Sequence, residues 1–455
     1  MTGVAAPLEA LDLAVRQAVS ARDRWEEALG LRPDVAVAAA EAPLAQHRAV
    51  AGQAVFDELG QRVVVSQEIA LRDAVRRWVG ALTVHRVTED ERAEEARVVA
   101  ETRLHVHLDV IEMTSYRAGW SGLLGANNLS AGTAWLKALE EGAPKVAAAR
   151  REREVRAVEV VRRLGYASFA ELVGGPPRAK LAPLARTFLE ETRDLASALR
   201  HEAGGRGEER TVTAEILDAR ALGAPEGWPG KLTPRALMET LRAPKDLARG
   251  VRLSVAMPRV HGAASFALAL ERFGDAYRRA MAGATREPFS LAVPPWFVDA
   301  HRFGFVFGAL PSTLAYQRGL GLAARTAARQ ARMLASTALL HARKAAMAYL
   351  LAPSVARPDV TEHEALTAEV FGRPLPPAFA GAFPRMRDVD ARLVALFTTL
   401  PLLDQLRDQF DEDWFRNPRA WVFLRVRAAG PAVVLAEDDT PEPAMLARAF
   451  ERALG

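Results

Sequence analysis

Apolar positions in this chain recur mostly at helical spacing. Over residues 8–30, Leu8, Leu11, Ala14, Val15, Ala18 and Val19 lie close to one stripe, the pattern of a helix that buries one face. Segments 35–86 and 90–117 follow the same logic in pieces and read as helix. On a helix His105 and His107 would be splayed to different faces, so they are not expected to pair on a metal. Region 120–132, with Gly122, Gly125, Asn127, Asn128 and Gly132, reads as a turn or kinked connection. A short helix follows to about 140, Gly142-Ala143-Pro144 breaks it, and a longer helix runs to Leu164. Gly165 suits a left-handed cap for that helix. Ser168-Phe169-Ala170-Glu171 fits a capping box that opens the next. Gly174-Gly175-Pro176-Pro177 then divides an N-terminal helical part, 1–175, from the remainder, 176–455.

Beyond that break a helix is predicted from near Pro183 to near Glu202, followed by loops at 204–210 and 222–230. Thr233-Pro234 supplies an N-cap and a first-turn proline for a helix ending near 242. Val251-Arg252-Leu253-Ser254-Val255-Ala256 largely alternates apolar and polar residues and is the predicted strand. Helices are expected at about 263–283, 297–310 and 319–351. Four prolines mark 372–385 as a loop. Helices at roughly 386–411, 416–428 and 441–454 complete the chain. Phe303, Phe305 and Phe307 recur at period two in a helical context and read as core packing. The predicted fold is all-α, with a minor β element near 251–256.

Composition narrows the classes. The chain has 455 residues, half of them apolar, enough for a large core and two or three domains. It has no cysteine, which excludes disulfides, thiolate metal sites and cysteine nucleophiles and fits a reducing cytoplasm. No signal peptide is read at the N-terminus. No run of about 18 apolar residues exists to span a membrane. The net charge is only +4, and six of the 60 basic residues are Lys. The arginine and alanine bias suits a GC-rich bacterial genome. Acidic and basic residues are interleaved, as on solvated helix faces, so nucleic acid is not an expected partner. No Gly-Lys-Ser/Thr phosphate loop is present. Ser312-Thr313 and Ser336-Thr337 have no matched base nearby in sequence.

The candidate chemistry lies at 271–299. Zinc hydrolysis needs three protein ligands, an open position for water and a general base beside it. Glu271 and Asp275, four apart on a predicted helix, share a face, and Asp299 follows on the next helix, 28 residues beyond Glu271. Glu271-Arg272-Phe273-Gly274-Asp275 and Phe297-Val298-Asp299 resemble the His-Glu-x-Gly-His and Phe-Val-Glu segments of the thimet oligopeptidase and oligoendopeptidase F family of zinc metallopeptidases. Gly165–Leu172 and the Asp411–Ala420 segment, with Trp414 and Arg416-Asn417-Pro418, are similar to further family segments, in the same order. The resemblance spans roughly 150–428; the first 140 residues match only in helical character. It implies a zincin-like architecture of two helical parts around a cleft. It places metal ligands at Glu271, Asp275 and Asp299 and the general base at Arg272.

The departures from that pattern set the functional expectation. Both histidine ligands are carboxylates here, and arginine stays protonated and offers no acceptor, so Arg272 cannot take a proton from water. The family's Leu-Pro-Ser is replaced by Ala300-His301-Arg302. No tyrosine follows Tyr349 to match the family's oxyanion-stabilising phenols, and Arg385–Arg392 supplies arginines and aspartates instead. The chain therefore reads as a degenerate, catalytically inactive member that has lost its zinc and has no catalytic residue and no cofactor. Arg272 is expected to pair with Asp275 or Asp299, with an ion-pair cluster filling the metal pocket. His301 and Arg392 are candidate cleft residues, and a peptide or protein is the expected partner. Two alternatives are a hydrolase holding Mg²⁺, Ca²⁺ or Mn²⁺ on the three carboxylates and an arginine-rich helical scaffold.

Overall fold

The computed structural model describes residues 6–31, 43–108, 111–125, 129–204, 239–241, 263–382, 388–431 and 442–454. The strand expected at 251–256, residues 205–210 of the loop expected at 204–210, the loop expected at 222–230, the helix start at Thr233 and the residues 385–387 lie outside them.

The N-terminal helices are α1 (Leu8–Leu31), α2 (Gln53–Gln61), α3 (Ile69–Val87) and α4 (Glu89–Glu101). The predicted stripe of α1 is buried: Val15, Ala18 and Val19 pack with Phe56 and Leu59 of α2 and Val75, Trp78 and Leu82 of α3.

After Glu101 the helical expectation fails. The chain forms an antiparallel hairpin, β1 (Arg103–His107) and β2 (Ile111–Ser115). Leu104 and Val106 are buried while Arg103, His105 and His107 are exposed, the two-residue period of a strand. His105 and His107 therefore share a face, contrary to the helical reading.

Residues 120–125 are not a turn but the end of α5 (Tyr116–Gly125). Gly119 and Gly122 lie against other side chains there: an added Cβ would stand 2.4 Å from Leu104 and 2.5 Å from Trp135, respectively. Pro144 does not break the next helix, and α6 runs unbroken from Leu129 to Arg163. The proline removes one backbone donor, yet Trp135, Leu139, Ala143 and Val146, from both sides of it, enter one core.

Gly165 has φ +87°, and Ser168 Oγ accepts the Glu171 N–H at the start of α7 (Phe169–Leu172), as the sequence predicts. The helix expected from Pro183 to Glu202 is two helices, α8 (Arg178–Glu191) and α9 (Arg193–Gly204), and it starts earlier. They part at Thr192, whose hydroxyl bonds back to the Phe188 carbonyl and accepts from Arg343.

The remaining helices are α10 (Ala263–Gly283), α11 (Phe289–Ala292), α12 (Val298–Gly308), α13 (Leu314–Gly319), α14 (Ala324–Leu351), α15 (Val360–Phe371), α16 (Val389–Phe397), α17 (Leu400–Phe410), α18 (Pro418–Ala429) and α19 (Pro443–Leu454). The single helix expected over 386–411 is split at Thr398–Thr399. The fold is all-α, with one small β element, at 103–115, among the described residues.

The largest apolar cluster joins Leu104, Leu139 and Val146 with Phe188, Leu339, Phe371 and Phe397, on both sides of the Gly174–Pro177 break. Helix α12 and its lead-in lie where the clusters meet. Val298 enters the largest, Phe303, Val306 and Phe307 a second, and Trp296 touches the N-terminal one. Among the described residues no helix is long and apolar enough to cross a membrane.

Candidate functional site

Helices α10 and α12 meet backbone to backbone, because glycines line their contact. A Cβ at Gly274 would stand 2.3 Å from the Phe303 carbonyl oxygen. From the other side, Gly304 and Gly308 face Glu271, with an added Cβ 3.0 Å from its carbonyl oxygen and 3.0 Å from its Cβ, respectively. No larger residue fits such an approach without displacement. This contact fixes Glu271 and Asp275 on the face of α10 that lies over α12.

The structure brings four of the predicted residues into one network. Glu271 is paired with Arg392 of α16, whose guanidinium lies over the ring of Phe305, 5.3 Å from its centroid. Asp275 is paired with Arg279, one turn on (2.8 Å), and its second oxygen faces His301 Nδ1 at 3.3 Å. His301 Nε2 points toward Asp388, whose carboxylate is 3.9 Å away, and this nitrogen is buried without a hydrogen-bond partner. Asp388 precedes α16 in a left-handed conformation, φ +48°, uncommon for a residue with a Cβ. Next to it Asp390 accepts from Trp296 Nε1 at 3.0 Å.

Asp299 belongs to a different cluster. Its two oxygens face Arg278 and Arg302, each at 3.4 Å. Arg278 also donates to the carbonyls of Ala428 and Gly430 at the end of α18. Arg302 donates twice to Thr398 O at the end of α16. Asp299 and the two arginines are all buried. The carboxylate and two helix C-termini, which carry partial negative charge, together balance two cations. Arg272 is half-buried on α10; the cations at Asp275 and Asp299 include Arg279, Arg278 and Arg302, of which only Arg302 stands in the sequence motif. A signal existed in the i, i+4 spacing of Asp275–Arg279 and the i, i+3 spacing of Asp299–Arg302.

Electrostatics follow from burial and these partners. Burial alone would raise the Asp275 carboxyl, but Arg279, His301 and Arg392 hold it below the usual carboxylate range. Burial pushes the His301 imidazole down; Asp275 and Asp388 oppose this, and Arg279 and Arg392 reinforce it. Burial and the neighbouring Asp388 raise Asp390. The network thus presents a neutral imidazole between an ionised aspartate and a second carboxylate, flanked by arginines.

No protein-family model and no curated protein matches the sequence. The fold does align with solved structures. A Bacillus anthracis protein provisionally assigned as oligoendopeptidase F matches at TM-score 0.58 and 10% identity, over 95% of this chain and 85% of that one. PZ peptidase A, solved with an inhibitor, matches at TM-score 0.58 and 12% identity, over 100% and 98%. A second protein with the same provisional assignment matches at TM-score 0.53 and 11% identity, over 99% and 97%. The likeness is one of fold, and it extends through the first 140 residues.

The three carboxylates that the sequence aligns with ligand positions each face arginine. Asp299 faces its two arginines while Glu271 and Asp275 face Arg392 and Arg279. Among the described residues no three His, Asp or Glu side chains gather closely enough to hold one ion.

Proposed function

We propose that this protein binds a peptide or an extended protein segment on an oligopeptidase-type fold without cleaving it. The observation that carries this reading is the pairing of the three ligand-position carboxylates with Arg392, Arg279, Arg278 and Arg302. Guanidinium groups take the place that a divalent metal would need. A cation at position 272 opposes a metal there and cannot activate water. What remains is a set of donors and acceptors that runs from the buried His301 through the half-buried Glu271, Arg392 and Trp296 to the exposed Asp388. Such groups can hydrogen-bond the amides and termini of an extended chain, and Phe305 and Trp296 offer apolar contact.

The test uses the full-length protein and a set of fluorescently labelled short peptides. Binding is read by anisotropy and cleavage by mass spectrometry, with and without added Zn²⁺, Mn²⁺ or Mg²⁺. The expected result is saturable binding that falls in Arg392→Ala, with intact peptide under every metal condition. Metal-dependent cleavage abolished by Asp299→Ala would establish a hydrolase instead. Absence of binding to any peptide would leave only the scaffold.

A further inference from the structure

We propose that the exposed face of the β1–β2 hairpin is a soft-metal site that takes one Cu(I) ion on His105, His107 and Met113. The strand period carries the first half of the argument. His105 and His107 alternate with the buried Leu104 and Val106, so both imidazoles project from the solvent face of β1. Two residues apart on a strand, their Cα atoms stand about 7 Å from each other on that face. That separation lets two imidazoles converge on one ion above the sheet.

The register carries the second half. Met113 lies directly opposite His105, and Ile111 directly opposite His107. Facing residues of an antiparallel pair project on the same side, with Cβ atoms about 4.5–5.5 Å apart. The thioether therefore stands beside the first imidazole. Met113 is 70% exposed, so its sulfur fills no core. Among the described residues neither imidazole makes a hydrogen bond or an ion pair. Ile111, 60% exposed, supplies an apolar flank, which limits water at a bound ion.

The choice of ion follows from the donors. A thioether selects Cu(I) over harder divalent ions, and imidazole accommodates it. Arg103 occupies the same face two residues from His105. Its charge opposes a divalent ion about twice as strongly as a monovalent one at equal distance. The chain has no cysteine to compete for the metal.

The experiment titrates the full-length protein with Cu(I) under anaerobic, reducing conditions against a chromophoric Cu(I) chelator. One equivalent should pass from the chelator to the protein. Met113→Leu should weaken Cu(I) binding by about tenfold or more and leave any Zn²⁺ binding unchanged. The double variant His105→Gln, His107→Gln should lose the Cu(I) equivalent. All three side chains are exposed, and circular dichroism of each variant confirms that the fold is kept. The proposal fails if no Cu(I) leaves the chelator, if Met113→Leu binds as tightly as the parent, or if the double histidine variant keeps the ion.

Discussion

Asp299 sits between two arginines that have almost no contact with solvent, and removing its charge leaves both without a carboxylate. Burial already pushes the Arg278 guanidinium below the ordinary arginine value, with Asp299 opposing that shift. Breaking a buried pair from one side costs about 3–5 kcal/mol. Asp299→Asn should therefore lower unfolding stability by that order, read as a shifted midpoint in urea; a variant as stable as the parent would show that the carboxylate is not needed as a counter-ion. A second residue gives a pH signature. Glu89 is buried at the start of α4 and accepts the Leu44 N–H at 3.0 Å. Burial pushes its carboxyl up from 4.5 to about 7, against the Leu44 hydrogen bond and the nearby Arg86 and Arg92. The folded state prefers the protonated acid, so this stabilisation is complete below about pH 4.5 and is lost as pH rises through about 7. Glu89→Gln keeps an acceptor for Leu44 without the charge. It should match the parent near pH 4 and exceed it at pH 8 by up to about 3 kcal/mol; thermal melts at the two pH values decide this. At this scale the sequence revealed positions but not partners. Glu271, Asp275 and His301 were legible as one neighbourhood, whereas Arg278 meets Asp299 only through tertiary packing.

Gly274 shows the same division between elements. Its place in the motif was visible, but its role appears only once α12 is seen against α10. A Cβ 2.3 Å from the Phe303 carbonyl oxygen must push the helices apart, because backbone cannot swing aside as a flexible side chain can. Gly274→Ala should cost about 1–3 kcal/mol through overpacking, more than the ~1 kcal/mol that alanine gains in helix propensity. Gly283, on the same helix, has no atom within 4 Å of an added Cβ. Gly283→Ala should therefore be neutral or slightly stabilising, and equal melting temperatures for the two variants would contradict the close-contact account. Helices with long apolar stripes, such as α1, α10 and α14, were readable because the pattern repeats over several turns. The hairpin was not, because its alternation covers only five residues inside a helix-rich stretch. Continuity through Pro144 was also hidden, since local propensity points to a break that burial on both sides overrides.

Across the whole molecule, the lead-in to α12 is anchored on the N-terminal helices as well as on its own neighbours in sequence. The carboxylate of Asp12 on α1 accepts both the Phe289 and Ser290 N–H groups at 2.7 Å, capping α11, whose own N-cap Pro288 has no side-chain hydrogen bond to give. Trp78 of α3 donates its indole N–H to Val293 O at 2.8 Å and stacks on Phe289. Segment 288–297 runs from these anchors to Trp296 and then into α12, which carries Asp299 and His301. Removing the Asp12 carboxylate deletes a cap and two charge-assisted hydrogen bonds, a loss of about 2 kcal/mol. The loss should appear where the bonds end. In Asp12→Ala, hydrogen exchange should rise over 289–308, distant in sequence from the substitution, while α14 stays protected. Exchange that rises only within α1 would mean that the site helices are positioned independently of the N-terminal part. The stronger outcome pairs this with peptide binding: if the anchoring sets the site, Asp12→Ala should also weaken the ligand that Arg392→Ala weakens, although Asp12 itself lies on a different element from every residue of the network.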